Sequence, residues 1–171
     1  MCPQRKIVVV PYDPAWPAAF QREAERIACV FGDELLSIHH IGSTSVPGLA
    51  AKPIIDVMPL VRDVERVALY SPAMIELGYE PKGEHGIAGR RFFTKGRHPH
   101  RTHNVHIYHP SSPEVARHLA FRDYLRAHPA EAEQYARLKA ELACQFPNDI
   151  EQYMAGKEPF IKELLRKAQM A

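Results

Sequence analysis

The sequence predicts an α/β fold over residues 1–110 followed by a helical cap over residues 111–171, the whole forming one domain. Two patterns carry this prediction. Short apolar runs with a period of two alternate with stretches of helical spacing up to Pro110, and beyond it only helical spacing remains. Fifteen prolines, about twice the usual share, punctuate the chain into short elements. With 171 residues, 46% hydrophobic and 25% charged, the chain is long enough to bury its own core.

Residues 7–10 read as a first strand closed by Pro11. Asp13 and Pro14 then offer a cap and a first-turn proline, with Pro17 delaying regular hydrogen bonding. Phe20, Ala24, Ile27 and Phe31 recur at spacings of four, three and four, which is one stripe of an amphipathic helix that Gly32 ends. Residues 35–41 read as a second strand. Residues 42–48 are too rich in Gly, Ser and Pro to continue it and form a loop. Residues 53–60 contain a third strand, on which Ile54, Asp56 and Met58 share one face and Ile55 and Val57 the other.

Residues 63–77 have helical spacing that Pro72 must break or kink. Tyr79 opens a strand-like stretch, residues 83–89 a glycine-rich turn, and residues 90–95 and 103–108 a strand pair. In the cap, residues 113–128 form one helix; Tyr135, Leu138 and Leu142 mark a second; Phe160, Ile161, Leu164, Leu165 and Ala168 mark a third.

The formal charge of +2 argues against a nucleic-acid binder, which needs a concentrated basic face. No apolar run reaches the roughly 18–20 residues of a membrane span, so no membrane association and a cytoplasmic location are expected. Cys2, Cys29 and Cys144 have no disulfide or zinc spacing and are expected to be reduced, with Cys29 and Cys144 packed as small apolar groups.

The chemistry concentrates in the loop after the second strand. Glycine at 42 lets a backbone approach a phosphate, and the Ser43, Thr44 and Ser45 hydroxyls can donate to it. Asp56, on the next strand, is placed to hold a divalent metal, Mg²⁺ or Mn²⁺. The competing reading is a plain turn with serine as a cap.

The run from His40 to Asp56, which contains Gly42-Ser43-Thr44-Ser45-Val46-Pro47-Gly48-Leu49-Ala50-Ala51-Lys52-Pro53, resembles the signature of the GrpB family, also called UPF0157. Similarity extends through Val10 to Trp16, Thr102 to Ile107, Phe121 to Arg126 and Tyr153 to Lys157. The resemblance implies a nucleotidyltransferase-like fold, a mixed sheet with flanking helices and a helical extension, and a similar domain fused to some dephospho-CoA kinases. It also implies a two-metal site built on alternating carboxylates, in which Gly42 and Ser43 match the turn and Asp56 the first acid. The second acid position holds Met58, and the third matches His106. A thioether does not ligate hard Mg²⁺, which leaves a one-metal or transition-metal site on Asp56 and His106.

Around this centre, Arg90, Arg91 and Arg101 are candidates to clamp a phosphate, against the alternative of a charged edge hairpin. Lys52 precedes the Asp56 strand and faces the loop or water. Lys139 and Lys157 read as solvated helix-surface lysines, with projection toward a triphosphate as the alternative. Five histidines between residues 98 and 109 read as a solvated loop, because extended geometry sends His106 to the opposite face from His103 and His109. Tyr12 and Trp16 are read as staples for the first helix, and Phe121, Tyr124 and Tyr135 as ties between cap and sheet. Two functional expectations follow. One is a protein that binds a nucleotide or other phosphate-bearing small molecule, with nucleotidyl transfer as an accompanying activity. The other is a noncatalytic module that assists a partner protein.

Overall fold

A computed structural model describes residues 6–97 and 99–171. Cys2 and His98 lie outside the described residues. Five strands form one mixed sheet in the order β1-β2-β5-β4-β3, where β1 is Leu35–Ile41, β2 Ile55–Val61, β3 Tyr79–Pro81, β4 Arg91–Lys95 and β5 His103–Ile107. Only the central pair, β2 and β5, runs parallel.

Helix α1, Trp16–Phe31, packs its apolar stripe on one face of this sheet. Ile27 and Phe31 meet Ile55, Val57, Val61, Val105, Ile107 and Phe93 in the main core, which Met74 of α2, Ser71–Glu76, closes at one side. Trp16 sets its ring edge-on to Tyr12 at 5.3 Å, as expected of a staple. Burial of side chains of this size stabilises by about 1.5–3 kcal/mol each.

Three local expectations are corrected. Residues 7–10 make no strand: Val10 forms only an isolated bridge with Ala51, and the Ile7 amide donates to the Pro147 carbonyl at 2.8 Å. Helix α1 starts at Trp16 instead of at the Asp13-Pro14 pair, because Asp13 spends its side chain on a local turn, accepting from the Ala15 amide at 2.8 Å. Pro17 then sits in the first turn, where its missing N–H costs nothing. Cys29 and Cys144 are free thiols but exposed, on the outer faces of their helices.

The cap comprises α3, Pro113–Ala127, α4, Pro129–Gln145, and α5, Ile150–Met170. It covers the other face of the sheet, where Val115 and Leu119 of α3 pack on Ile41, Met58, Leu60 and Tyr108. A second apolar cluster joins cap to loop, with Val46 and Leu49 against Leu125, Tyr135 and Leu164. Helices α4 and α5 cross at Gly156, where a Cβ would lie 2.4 Å from Leu142 Cδ2, so a larger residue there has to displace the Leu142 side chain. Residues one turn from that crossing therefore face each other closely.

Candidate functional site

The alternation of β2 decides what reaches the site. Ile55 and Val57 point into the main core, whereas Asp56 points to the cap side, toward the turn that follows β1. That turn is built on Gly42, whose φ of 73° and ψ of −174° suit glycine alone. A Cβ there would stand 2.7 Å from Asp56 Oδ2. The chain thus lays bare backbone against the carboxylate. Behind it, Ser45 turns inward and donates its hydroxyl to the Gly42 carbonyl at 2.5 Å, while buried Thr44 pairs with His40 Nε2 at 2.9 Å. Ser45 shapes the turn from beneath, whereas Thr44 also borders the cavity described below.

Asp56 is held by its neighbours on β5. Asn104 donates to Oδ1 at 3.2 Å and His106 Nε2 lies 3.0 Å from the same oxygen. On the far side of the imidazole, Arg90 Nη1 is 3.4 Å from Nδ1. A guanidinium only donates, so Nδ1 accepts and the proton on Nε2 is directed to Asp56. Arg90 is itself fixed by the carbonyls of Glu84 and His85 at 3.1 and 2.6 Å. Burial opposes ionisation of Asp56, but the His106 and Asn104 hydrogen bonds and the charge of Lys52 outweigh it, and its pKa falls below the usual carboxylate value. His118 of α3, 5.7 Å from His106, is half-buried, and loss of solvent drives it to a pKa of about 4, so it adds no charge at neutral pH.

Gly42, Ser43, Asp56, Asn104 and His106 open onto a cavity of about 330 Å³ beneath the cap. Three lysines close it from three elements: Lys52 from the loop, Lys139 from α4 and Lys157 from α5. Lys139 Nζ lies 4.7 Å above the Tyr135 ring and Lys157 Nζ 4.7 Å above the Tyr153 ring, with Lys52 Nζ 5.4 Å above that same ring. Lys139 also donates to the Ala50 carbonyl. Only 2% of Lys139 and 8% of Lys157 is exposed. Burial first, then mutual repulsion, brings Lys139 down to about 7 and Lys157 to about 8.

Sequence reasoning placed these two lysines on the solvated helix surface, and the structure overturns that. A signal was there: Lys139 occupies the stripe of Tyr135, Leu138 and Leu142, and Lys157 that of Tyr153, Phe160 and Leu164. A cation inside an apolar stripe is buried with the stripe. The arginine clamp fares differently. Arg90 stands one layer behind, Arg91 pairs with Glu65 at 2.8 Å and with Glu84 at 3.6 Å, and Arg101 lines a neighbouring hollow that shares Lys52 and Ile54 with the cavity wall. The histidines separate as extended geometry requires, with His103 and His106 on opposite faces of β5.

The two-metal chemistry that the sequence resemblance implies does not fit these residues. Met58, at the second acid position, is fully buried among Ile41, Leu60, Tyr108 and Val115 and does not line the cavity. The Nε2 proton of His106 is committed to Asp56. Among the described residues no three His, Cys, Asp or Glu side chains are grouped to hold a metal.

Strand order, the Gly-Ser turn and the acid on the following strand together define a nucleotidyltransferase-like fold. Terminal uridylyl transferase 4 from Trypanosoma brucei with bound CTP shares it at a TM-score of 0.50 and 13% identity, over 96% of this chain and 52% of that one. Within that class the affiliation is specific. Residues 6–167 match the family described as GrpB protein, and the chain belongs to the GrpB family. It is similar to the conserved protein GrpB from Enterococcus faecalis, at a TM-score of 0.90 and 46% identity over 94% of this chain and 96% of that one. It is 52% identical to UPF0157 protein YqkA of Bacillus subtilis over 94% of this chain, but spans only 46% of that protein's length. A dephospho-CoA kinase of Mycolicibacterium paratuberculosis is 30% identical over 94% of this chain and 45% of its own length. Among the described residues no helix is long and apolar enough to cross a membrane.

Proposed function

We propose that this protein binds a nucleotide or similar phosphate compound in the cavity between the Gly42-Ser43 turn and the cap helices. One observation carries the reading: the turn, Asp56 and three lysines from separate elements all open onto the same hollow. Buried lysines cost free energy unless something pairs with them, and a phosphate supplies charge and acceptors together. In this reading the lysines and the Ser43 hydroxyl hold the phosphates. Asp56, oriented by His106 and Asn104, accepts a hydrogen bond from a hydroxyl or amino group elsewhere on the ligand. The fold is the one in which terminal uridylyl transferase 4 holds CTP. The reading stops at binding, since Met58 in apolar packing leaves the acid set for nucleotidyl transfer incomplete.

Isothermal titration calorimetry with a panel of nucleoside mono-, di- and triphosphates, each with Mg²⁺, Mn²⁺ or EDTA, tests it. Saturable binding of at least one nucleotide is expected, weakened by Lys157→Gln. No heat with any member under any condition overturns the reading.

A second reading, a noncatalytic module that assists a partner protein, is favoured by the related stretch within the dephospho-CoA kinase. Nucleotide turnover by the isolated chain, with no stable complex in a pull-down, counts against it.

A further inference from the structure

Resting on the binding reading above, we propose that Lys52, Lys139 and Lys157 neutralise the ligand's phosphates in place of a divalent metal, so that the cavity holds a diphosphate or triphosphate group without any metal ion.

The charge count favours this over the metal arrangement. A site built for two metals gathers carboxylates, because the cations must be balanced before the phosphate arrives. This cavity reverses the balance, offering one carboxylate, Asp56, against three ammonium groups. Among the described residues no ion pair includes Lys139 or Lys157. Two such lysines at one cavity suit a polyphosphate better than a single phosphate monoester.

Position supports the same conclusion. Lys139 and Lys157 are held over aromatic faces on helices that Gly156 brings into close contact, so neither swings freely toward solvent. The groups that face Lys139 are Lys157 of α5, Lys52 of the loop, Tyr135 on its own helix and the Ala50 carbonyl. Those facing Lys157 are Lys52, Tyr153 and Asp56. Around Lys139 both charged neighbours are lysines, and around Lys157 one lysine stands against Asp56. Burial first, and a neighbouring lysine second, depress the basicity of both, and an incoming polyanion raises it again.

The roles of Asp56 in the two arrangements differ in sign, and this makes the experiment decisive. If Asp56 ligates a metal, neutralising it abolishes phosphate binding. If lysines do the work, Asp56 only repels the phosphates, and neutralising it strengthens their binding. Titration calorimetry with inorganic tripolyphosphate separates these cases. Dissociation constants in EDTA and in Mg²⁺ are expected to agree within about threefold, with Mg²⁺ on the weaker side because it competes for the anion. Asp56→Asn is expected to tighten binding by roughly three- to tenfold, and Lys139→Gln to weaken it by about ten- to a hundredfold. Circular dichroism of each variant checks that the fold persists. Binding more than about tenfold weaker in EDTA, or lost in Asp56→Asn with the fold intact, overturns the inference and leaves the binding reading standing. Nucleotide binding without tripolyphosphate binding also overturns it. Absence of binding by any nucleotide and by tripolyphosphate overturns both.

Discussion

Two clusters of buried charge lie on opposite faces of the sheet, and they are built on opposite terms. On the α1 side, Glu23, 4% exposed, accepts from Tyr79 Oη at 2.9 Å and from Lys95 Nζ at 2.6 Å, with Arg26 at 3.8 Å. Burial pushes its carboxyl upward, but Lys95 and Tyr79 more than reverse this, and it stays ionised. Every charge there has an answering one. On the cap side, Lys139 and Lys157 are as deeply buried, yet they face each other, Lys52 and two aromatic rings, with one carboxylate among them. The first cluster closes on itself as structure; in the second, Lys139 and Lys157 join no ion pair among the described residues, and this is the proposed place for an incoming anion.

Removing the balanced cluster has the largest effect on stability. Glu23→Ala leaves Lys95 beside the core without its partner, and breaking a buried pair in this way costs about 3–5 kcal/mol. Urea denaturation should show that loss, while the affinity for tripolyphosphate in the folded variant stays within about twofold of the parent. A loss under about 1 kcal/mol, or a marked change in affinity, breaks the distinction between the two clusters.

The open cluster should respond with the reverse sign. Lys139→Met removes an uncompensated charge, keeps the aliphatic volume, and is expected to stabilise the ligand-free protein by about 1–4 kcal/mol at pH near 7. The same variant should lose polyphosphate affinity. Its advantage depends on pH in a definite direction. Unfolded, Lys139 keeps its proton up to its ordinary value of 10.5; folded, it releases it near 7. Between those values the unfolded chain binds more protons, so parental stability rises with pH across that window and is lowest below it. The gap between variant and parent therefore narrows from pH 7 toward 10.5. Thermal midpoints of both proteins in matched buffers measure it, and a gap that stays constant or widens shows that Lys139 is not held deprotonated by its surroundings.

The sequence was most informative where one local rule governed the outcome. The limits of β1, the end of α1 at Gly32, the Pro72 break and the division of His103 from His106 all follow from periodicity or from a single punctuating residue. Residues 7–10 failed because a strand requires a neighbour along its length, and this segment finds one only at Val10. That Gly42, Ser43 and Asp56 share one cavity was legible because they lie within a single short stretch of the chain, on a turn and the strand that follows it. Its roof was not, because Lys139 and Lys157 reach the cavity through the crossing of α4 on α5, a tertiary fact that no local window contains. The arginines misled for a related reason: the shorter of Arg91's ion pairs is to Glu65, 26 positions away in the chain.

Gly42 supplies the smallest of these effects and the most local. Its backbone lies in a region that L side chains enter only at a cost of about 1–3 kcal/mol, so Gly42→Ala should lower the unfolding free energy by that order. The added methyl also arrives 2.7 Å from Asp56 Oδ2, so either the turn lifts or the carboxylate swings away from His106 and Asn104. The two responses separate in ligand binding. A lifted turn carries Ser43 off the phosphates and weakens tripolyphosphate binding, whereas a displaced carboxylate removes repulsion and strengthens it. Combining Gly42→Ala with Asp56→Asn distinguishes them, because a change in affinity transmitted through the carboxylate disappears once position 56 is neutral. We expect the turn to lift, since Asp56 is fastened by two hydrogen bonds from β5 while Gly42 lies beyond the end of β1, outside the sheet ladder; the loss of affinity should then persist in the double variant.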